Sequence, residues 1–402
     1  MSDYAEPAVG GGDPIRETVL SYGSQSISDH EKEAVLDALE SDYITRGPMV
    51  DQFEQRVADL VGVDHAVMTT SGTTALHLAG RAAGFGVGDE VITTPLTFAS
   101  TAHAATYCGA TPVFADIDPH RRTLDPEAVR EQISVDTEGL IPMHYGGHPA
   151  DIETLIDIAD DNGLTVIWDA CHAFGGTWRG EPIGAQRDMA MFSFHPVKNI
   201  TTGEGGMIVT DDDDIADRVR RLRSFDMDYD PEGHEEESWY QVVEGVGYNY
   251  NVTDIQAALG LAQLDRLDEF KDRRDEIIQR YDAAFEDING IRTPPEVADA
   301  DPMYHLYAIE VREEFCCDRT EFVNAMHEEN VGVQVHYVPL HYHPLFRDKY
   351  GYERGDFPET EQVYKGLVSM PLFPGMSEGD VNDVIAAVKR LHRYFRSDGG
   401  AE

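Results

Sequence analysis

Met191-Phe-Ser-Phe-His-Pro-Val-Lys198-Asn-Ile-Thr-Thr-Gly-Glu-Gly-Gly206 is the stretch on which the reading of this 402-residue chain turns. It joins one apolar run, Met189–Phe194, to another, Met207–Thr210, through a segment that carries a single lysine. Lysine is scarce here: Lys32, Lys198, Lys271, Lys349, Lys365 and Lys389 are the full set, and all but Lys198 have polar or acidic surroundings. A lysine between buried strands carries a desolvation penalty that favours its neutral amine. A neutral amine attacks aldehydes, which is the property of a Schiff-base lysine. A lysine snorkelling from a strand end would leave the same local pattern.

On either side of this stretch, from Val57 to about Arg223, short apolar runs alternate with amphipathic ones. Strands are predicted at Glu90–Thr94, Pro112–Asp116, Gly139–His144, Thr165–Asp169, Met189–Phe194 and Met207–Thr210. Helices are predicted at Thr74–Ala83, Ser100–Cys108, Pro126–Ile133, Asp151–Asn162 and Ile215–Ser224. Strands apolar on both faces and separated by helices imply an α/β fold with a mostly parallel sheet. Gly84-Phe-Gly-Val-Gly88 follows a helix instead of a strand, so it reads as a C-cap and turn and not as a dinucleotide loop.

A long helical pattern then runs from Thr253 to about Asp287. Beyond it come a strand at Tyr304–Val311, a helix at Thr320–Glu329, a strand at Val333–Tyr337 and a last helix at Gly379–Phe395. The organisation expected is a flexible terminus over residues 1–14, a large α/β domain over 15–265, and a long connecting helix with a smaller C-terminal α+β domain over 266–402. Met1–Pro14, rich in Gly, Ala and acids, reads as frayed.

Composition bounds the function. The chain holds 75 acidic and 31 basic residues, a formal net charge of −44. The excess is spread over every segment, which suggests a surface adapted to high salt, where a Debye length of about 3 Å at 1 M screens self-repulsion. Nucleic acid is an unsuitable partner for such a surface, and no apolar span of about 20 residues points to a membrane. The four cysteines, Cys108, Cys171, Cys316 and Cys317, lack zinc-site spacing and fit a reduced, cytoplasmic compartment.

Two further elements join Lys198. Thr69-Thr-Ser-Gly-Thr-Thr-Ala-Leu-His-Leu is a hydroxyl-rich turn opening into a helix. Free N–H groups at a helix start beside hydroxyls make a phosphate cup, although Ser and Thr also cap helices with no ligand. Thr165-Val-Ile-Trp-Asp-Ala-Cys-His-Ala-Phe-Gly-Gly sets Asp169 at the carboxyl end of a strand, where ligands of open α/β sheets bind. An acid there suits a protonated pyridine nitrogen, as in pyridoxal phosphate; it could also cap the next helix. Ser193 adds a second phosphate hydroxyl.

With these residues in place, the chain resembles the DegT/DnrJ/EryC1/StrS sugar aminotransferases, pyridoxal 5'-phosphate enzymes of fold type I. The resemblance runs from Leu20 to Arg393. Its marks are Thr45-Arg-Gly-Pro, Ser71-Gly-Thr-Thr-Ala-Leu-His-Leu-Ala, Thr94-Pro-Leu-Thr-Phe-Ala-Ser-Thr, Phe114-Ala-Asp-Ile-Asp, Asp169-Ala-Cys-His-Ala, the Lys198 stretch and Gly247-Tyr-Asn-Tyr-Asn-Val-Thr-Asp-Ile-Gln-Ala-Ala. It implies that Lys198 binds the cofactor as a Schiff base and afterwards moves the proton. It implies that Asp169 pairs with the ring nitrogen, His172 contacts the ring hydroxyl, and Phe98 covers the ring. Thr73, Thr74 and Ser193, with the Ser71-Gly72 turn, would hold the phosphate. Asn249 would reach the neighbouring subunit's phosphate in a homodimer with shared active sites. Asn251, where relatives usually carry arginine, and Thr74, where alanine is usual, depart from the pattern.

The resemblance further implies transfer of nitrogen from L-glutamate to a nucleotide-linked keto-sugar; no metal site is expected from the residues, since no thiolate completes one. Phe194-His-Pro-Val-Lys, Gly147-His-Pro-Ala-Asp and Val333-Gln-Val-His-Tyr-Val-Pro-Leu look like the subgroup that aminates C4 of a UDP-linked 4-keto-6-deoxy hexosamine on the route to pseudaminic acid. Other keto-sugars, such as UDP-4-keto-arabinose, a GDP-perosamine precursor or a dTDP-3-keto sugar, remain alternatives. His195 and His336 are candidate substrate contacts, and Arg46 and Arg223 candidate anion holders. His336, His341 and His343 could instead line an interface loop or bind metal. A same-family dehydratase would carry histidine in place of Lys198, and a cofactor-binding regulator would not need Lys198, Asp169 and His172 together. Neither a nucleophile elbow nor a dinucleotide fingerprint supports a hydrolase or oxidoreductase.

Overall fold

The computed structural model describes residues 6–228, 239 and 241–398. Seven strands form the main sheet: β1 (His65–Thr69), β2 (Glu90–Thr93), β3 (Thr111–Phe114), β4 (Thr137–Ile141), β5 (Thr165–Asp169), β6 (Met189–Ser193) and β7 (Gly206–Thr210). Their order is β1-β7-β6-β5-β4-β2-β3. Neighbours from β6 to β3 run parallel, while β7 runs antiparallel to both β1 and β6. The connections explain the exception. Parallel neighbours need a crossover, which helices such as Ala99–Cys108 and Ile152–Asn162 supply. β6 and β7 are joined only by the Lys198 loop, so the chain doubles back beside itself.

Register then gathers the chemistry. Met191 lies opposite Asp169, and Gly206 lies opposite both Ser193 and Thr69. The carboxyl ends of β1, β5 and β6 and the start of β7 therefore share one edge of the sheet. Two close approaches hold that edge together. A Cβ on Gly72 would lie 2.9 Å from Cβ of Ser193, and one on Gly206 would lie 2.3 Å from the Ser71 carbonyl oxygen. Only glycine lets the phosphate turn press onto β6 and β7.

A second, smaller sheet follows, with β8 (Ile291–Arg292), β9 (Tyr307–Val311) and β10 (Leu367–Met370) antiparallel in the order β8-β9-β10. Its core includes Tyr281, Phe285, Ile309, Phe322, Val368 and Leu391. The long helical pattern resolves into two helices, Asp254–Leu264 and Leu267–Phe285. The second spans both cores, giving Leu267 and Phe270 to the large one and Ile277 to Phe285 to the small one. β1 and the helices Asp29–Glu40 and Pro48–Val61 have no counterpart in the sequence reading. Among the described residues no helix is long and apolar enough to cross a membrane.

Two expectations need correction. Val333–Tyr337 alternates like a strand but forms only a single bridge, Gln334 to Ser369. Contacts across the fold take the rest: the Tyr145 hydroxyl donates to the His336 carbonyl, and His336 Nδ1 lies 2.9 Å from Ser369 Oγ. Of the terminus expected to fray, residues 1–5 lie outside the described residues, while residues 6–14 are tied to the fold. The buried pair Glu329–Arg390 (3.2 Å) recruits them. Glu329 accepts from the Ala8 and Ile15 N–H groups at 2.9 and 2.7 Å, while Arg390 donates to the carbonyls of Glu6 and Asp13. A buried ion pair needs its remaining donors and acceptors met, and this backbone meets both Glu329 oxygens and Arg390 Nη2, while Arg390 Nε has no partner.

Candidate active site

A cavity of about 630 Å³ opens at the shared sheet edge, with Asp169, Lys198 and the Ser71–Thr73 turn on its walls. Asp169 is 1% exposed. Its Oδ2 accepts from Thr101 Oγ1 at 2.7 Å and its Oδ1 from the Cys171 N–H at 3.2 Å. Both donors are neutral, so a buried carboxylate faces the cavity with no cation among these hydrogen bonds. That arrangement suits a protonated pyridine nitrogen.

The phosphate turn is built by a capping box. Ser71 Oγ accepts from the Thr74 N–H at 3.2 Å, and Thr74 Oγ1 accepts from the Ser71 N–H at 3.0 Å. Gly72 and Thr73 open the helix Gly72–Ala82, where N–H groups have no intrahelical acceptor. Thr73 Oγ1 lies 2.7 Å from Ser100 Oγ. Ser71, Gly72, Thr73 and Ser193 line the cavity. Thr74 does not: its N–H and hydroxyl are spent on the cap, so the structure withholds it from the phosphate role expected of it.

Lys198 is half-buried on the cavity wall and not enclosed between strands, because its loop leaves the sheet at Phe194. The loop is rigidly held. Asn199 Nδ2 donates to the carbonyls of Phe174 and Met303, both at 2.8 Å, and Thr201 Oγ1 to that of Phe194 at 3.0 Å. Phe98, 56% exposed, lines the cavity with its ring centroid 5.8 Å from that of Tyr337. His195 and His336 also line it. Burial, and then the Lys198 charge, push His336 down to about 4, so its imidazole is neutral at pH 7.

His172 is fully buried and stands behind this wall. Its Nδ1 accepts from the Gly146 N–H at 3.2 Å, and its Nε2 lies 3.0 Å from the Tyr337 hydroxyl. Burial, the Lys198 charge and His336 drive its pKa well below 6.5. Both nitrogens are occupied, and Tyr337 stands on the cavity wall while His172 does not.

Several other expected residues lie elsewhere. Asn249 is exposed and does not line this cavity; its Oδ1 accepts from Asn251 Nδ2 at 3.1 Å. Arg223 is committed to Glu54 at 2.6 Å and to the Met68 carbonyl, and neither it nor Arg46 lines the cavity. His341 is buried against Glu361, 2.9 Å from its carboxylate. His343 borders a smaller adjoining cavity of about 380 Å³ that shares Tyr22, Phe98, His336 and Tyr337 with the first. The sequence reading missed Thr101, Tyr22, His305 and Tyr337. Thr101 and Tyr337 both lie inside motifs quoted for the resemblance, and Thr97 four residues before Thr101 was a usable signal, since the two hydroxyls meet at 2.7 Å.

Residues 25–389 match the DegT/DnrJ/EryC1/StrS aminotransferase family. The chain belongs to that family. Its aminotransferases use pyridoxal 5'-phosphate, and the donor set around Asp169, Lys198 and the Ser71 turn fits that group. The spore coat polysaccharide biosynthesis protein SpsC of Bacillus subtilis is 43% identical over 384 residues, 94% of this chain and 98% of SpsC. DesI, solved in the presence of its TDP-sugar product, is 30% identical with a TM-score of 0.88 over 98% of each chain. Helicobacter pylori PseC, an aminotransferase in the biosynthesis of pseudoaminic acid, is 26% identical with a TM-score of 0.88, covering 94% of this chain and all of PseC (100%). This family member is therefore an α/β aminotransferase of fold type I with a pyridoxal phosphate site.

Proposed function

We propose that the protein moves the amino group of L-glutamate to a nucleotide-linked 4-keto-6-deoxy sugar, for glycan or surface polysaccharide synthesis. The observation that carries this is one cavity in which an amine (Lys198), a buried carboxylate (Asp169) and a phosphate turn (Ser71–Thr73) converge. SpsC supports a polysaccharide role, DesI a nucleotide-sugar acceptor and PseC an acceptor on the route that its name gives.

When bound, the cofactor supplies an electron sink. Asp169 holds positive charge at the ring nitrogen. The N–H groups of Gly72 and Thr73, with the hydroxyls of Ser71 and Ser193, hold the phosphate. Phe98, on the cavity wall, would shield the ring from water. Lys198 would act as general base and then acid, taking the proton from the amino-bearing carbon and returning it, on the same face, to the carbon across the nitrogen. Its fixed loop keeps the amine where both transfers occur.

Glutamate added to the cofactor-loaded protein in molar salt, chosen for the −44 charge, is expected to bleach its visible band. A keto-sugar should restore the band, and a panel of UDP- and dTDP-linked 4-keto and 3-keto sugars names the acceptor. A band indifferent to glutamate would remove the donor assignment; one restored only by a 3-keto sugar would move the amination site.

The active unit proposed is a homodimer in which Asn249 reaches the partner's phosphate. Support comes from the exposure of Asn249 and from the exposed apolar side chains Leu36, Leu39, Tyr43 and Ile44. Sedimentation velocity under assay conditions is expected to give twice the chain's 44.7 kDa; a fully active monomer would exclude Asn249 from the site.

A further inference from the structure

We infer that a relay of two hydroxyls, Thr97 and Thr101, sets how firmly Asp169 holds the cofactor's ring nitrogen, with Thr101 as the positioning residue next to the carboxylate. The role rests on the reading that Asp169 meets that nitrogen, and not on the choice of amino donor or sugar acceptor.

Proton counting gives the relay its direction. A carboxylate only accepts hydrogen bonds. Thr101 has one hydroxyl proton, and its Oγ1 lies 2.7 Å from Asp169 Oδ2, so that proton is spent on the carboxylate. Towards Thr97 Oγ1, also 2.7 Å away, the Thr101 oxygen can then only accept. Met143 Sδ, 2.9 Å from the same Thr97 oxygen, competes for the Thr97 proton, but a thioether is a weak acceptor. A hydroxyl that already donates to a charged group is polarised and accepts more strongly. Both protons therefore run towards Asp169.

The surroundings make this relay matter. Thr97, Thr101 and Asp169 are all buried, so bulk water does not replace a lost donor. Thr101 lies in the first turn of the helix Ala99–Cys108, its N–H bonded to the Phe98 carbonyl at 3.1 Å. The positive end of that helix adds to the attraction for the carboxylate. Asp169 Oδ1 is held separately, by the Cys171 N–H in the loop after β5. With one oxygen tied to a helix and the other to a loop, the carboxylate keeps a single orientation at the cavity wall.

The titratable groups around Asp169 are Cys171 on its own loop, His144 and His172 on either side of it, and Tyr337 and Lys198 on the cavity wall. Burial and the Asp169 charge lift the Cys171 thiol well above 9, and burial lifts the Tyr337 phenol well above 10. Burial pushes His144 down to about 3, and burial with the Lys198 charge holds His172 well below 6.5. All five are common to the proteins compared in the test and drop out of the differences.

Thr101→Val keeps the shape of the side chain and removes the proton; Thr101→Ser keeps the proton. Each protein, freed of cofactor, is loaded with pyridoxamine phosphate isotope-labelled at the ring nitrogen, and the nitrogen NMR signal is followed as pH rises. Loss of a hydrogen bond to a charged group is expected to lower the midpoint in Thr101→Val by about one unit, a tenfold loss of proton affinity. Thr101→Ser should titrate as wild type does, and Thr97→Val should shift by less than Thr101→Val.

A second measurement needs no titration. Pyridoxamine phosphate and its deaza analogue, in which carbon replaces the ring nitrogen, compete for each protein. Wild type should prefer the parent compound, Thr101→Val should lose about tenfold of that preference, and Thr101→Ser should recover it. An unchanged midpoint or an undiminished preference in Thr101→Val would overturn the role of Thr101. Equal losses in Thr101→Ser and Thr101→Val would assign the effect to packing and overturn it as well. An unmoved Thr97→Val would break the relay at its outer link. A wild type that binds both compounds alike would instead overturn the pairing of Asp169 with the ring nitrogen. Neither measurement contains glutamate or a keto-sugar, so a wrong donor or acceptor leaves both readouts standing.

Discussion

Replacing Lys198 by alanine is expected to abolish the glutamate-driven spectral change, slowing it at least about 10³-fold. General acid–base catalysis alone contributes about 10²–10⁴, and the covalent contribution of the amine is lost at the same time. Among the described residues no other lysine lines the cavity, so no second amine stands in for it there. Lys32 and Lys271, for example, are held in ion pairs with Asp29 and with Asp275 and Asp301. His195 lines the cavity and could shuttle a proton, but it cannot form the covalent link.

Lys198→Arg separates charge from chemistry. It keeps the positive charge while the guanidinium stays protonated at any working pH. It should therefore be as inactive as the alanine variant. The measurement is a stopped-flow absorbance trace after mixing each cofactor-loaded protein with L-glutamate, with circular dichroism to confirm the fold. A Lys198→Ala rate within tenfold of wild type would mean that another group does this work.

The parts of the site that were legible in the sequence are those with a local cause. Asp169 ends an apolar strand and Lys198 follows one, so pattern set both near the sheet edge; the Ser71 turn was legible only as a helix start, because the strand before it was not read. Parts decided by distant partners were hidden. Arg223 looked available for an anion until Glu54, far away in the chain, took it. The helical pattern from Thr253 gave no sign of a break. Yet Arg266 at the break pairs with Glu31 at 2.8 Å, from a helix near the chain's start. Val333–Tyr337 alternates in sequence like a strand, yet only Gln334 bridges to a neighbour, and the adjacent His336 and Tyr337 both turn to the cavity. Thr74 carried the right residue type for a phosphate contact, but its capping geometry consumes it. Such losses are physical: periodicity reports which face of an element is apolar, not which polar group on the other side of the fold claims a donor.

The largest stability effect is expected at Glu310, where the smaller sheet meets the large unit. Arg122, 1% exposed, sits in the turn between the short strands Ile117–Asp118 and Thr123–Leu124. It donates to Glu310 Oε1 through Nε (3.2 Å) and Nη2 (2.7 Å), and to the Ala308 carbonyl through Nη1 (2.5 Å). Ala308 and Glu310 belong to β9, so the guanidinium ties that strand to the large unit. The two ends of the pair are not equivalent. Glu310 also receives Arg312 at 2.9 Å and Arg292 at 3.4 Å, whereas Glu310 is the only carboxylate among the described residues paired with Arg122. Glu310→Gln thus strands a buried cation and should cost about 3–5 kcal/mol. Arg122→Met leaves Glu310 two arginines and should cost less. Making both positions methionine should recover much of the loss, because a packed apolar pair replaces a buried charge without its desolvation penalty. The pH dependence has a definite sign. Burial pushes the Glu310 carboxyl up, but Arg122, Arg312 and Arg292 overrule it and hold its pKa below 4.5. A carboxyl depressed in the folded state contributes stability above its unfolded value, and the contribution fades as pH falls through the folded value. The gap between wild type and Glu310→Gln should therefore be full at pH 7 and shrink below about pH 4. Urea unfolding of the three variants at pH 7, 5 and 3, at one protein concentration and one salt, measures it. Equal losses for Glu310→Gln and Arg122→Met at pH 7 would show that Arg292 and Arg312 do not share the load, and that the pair acts as an isolated bridge.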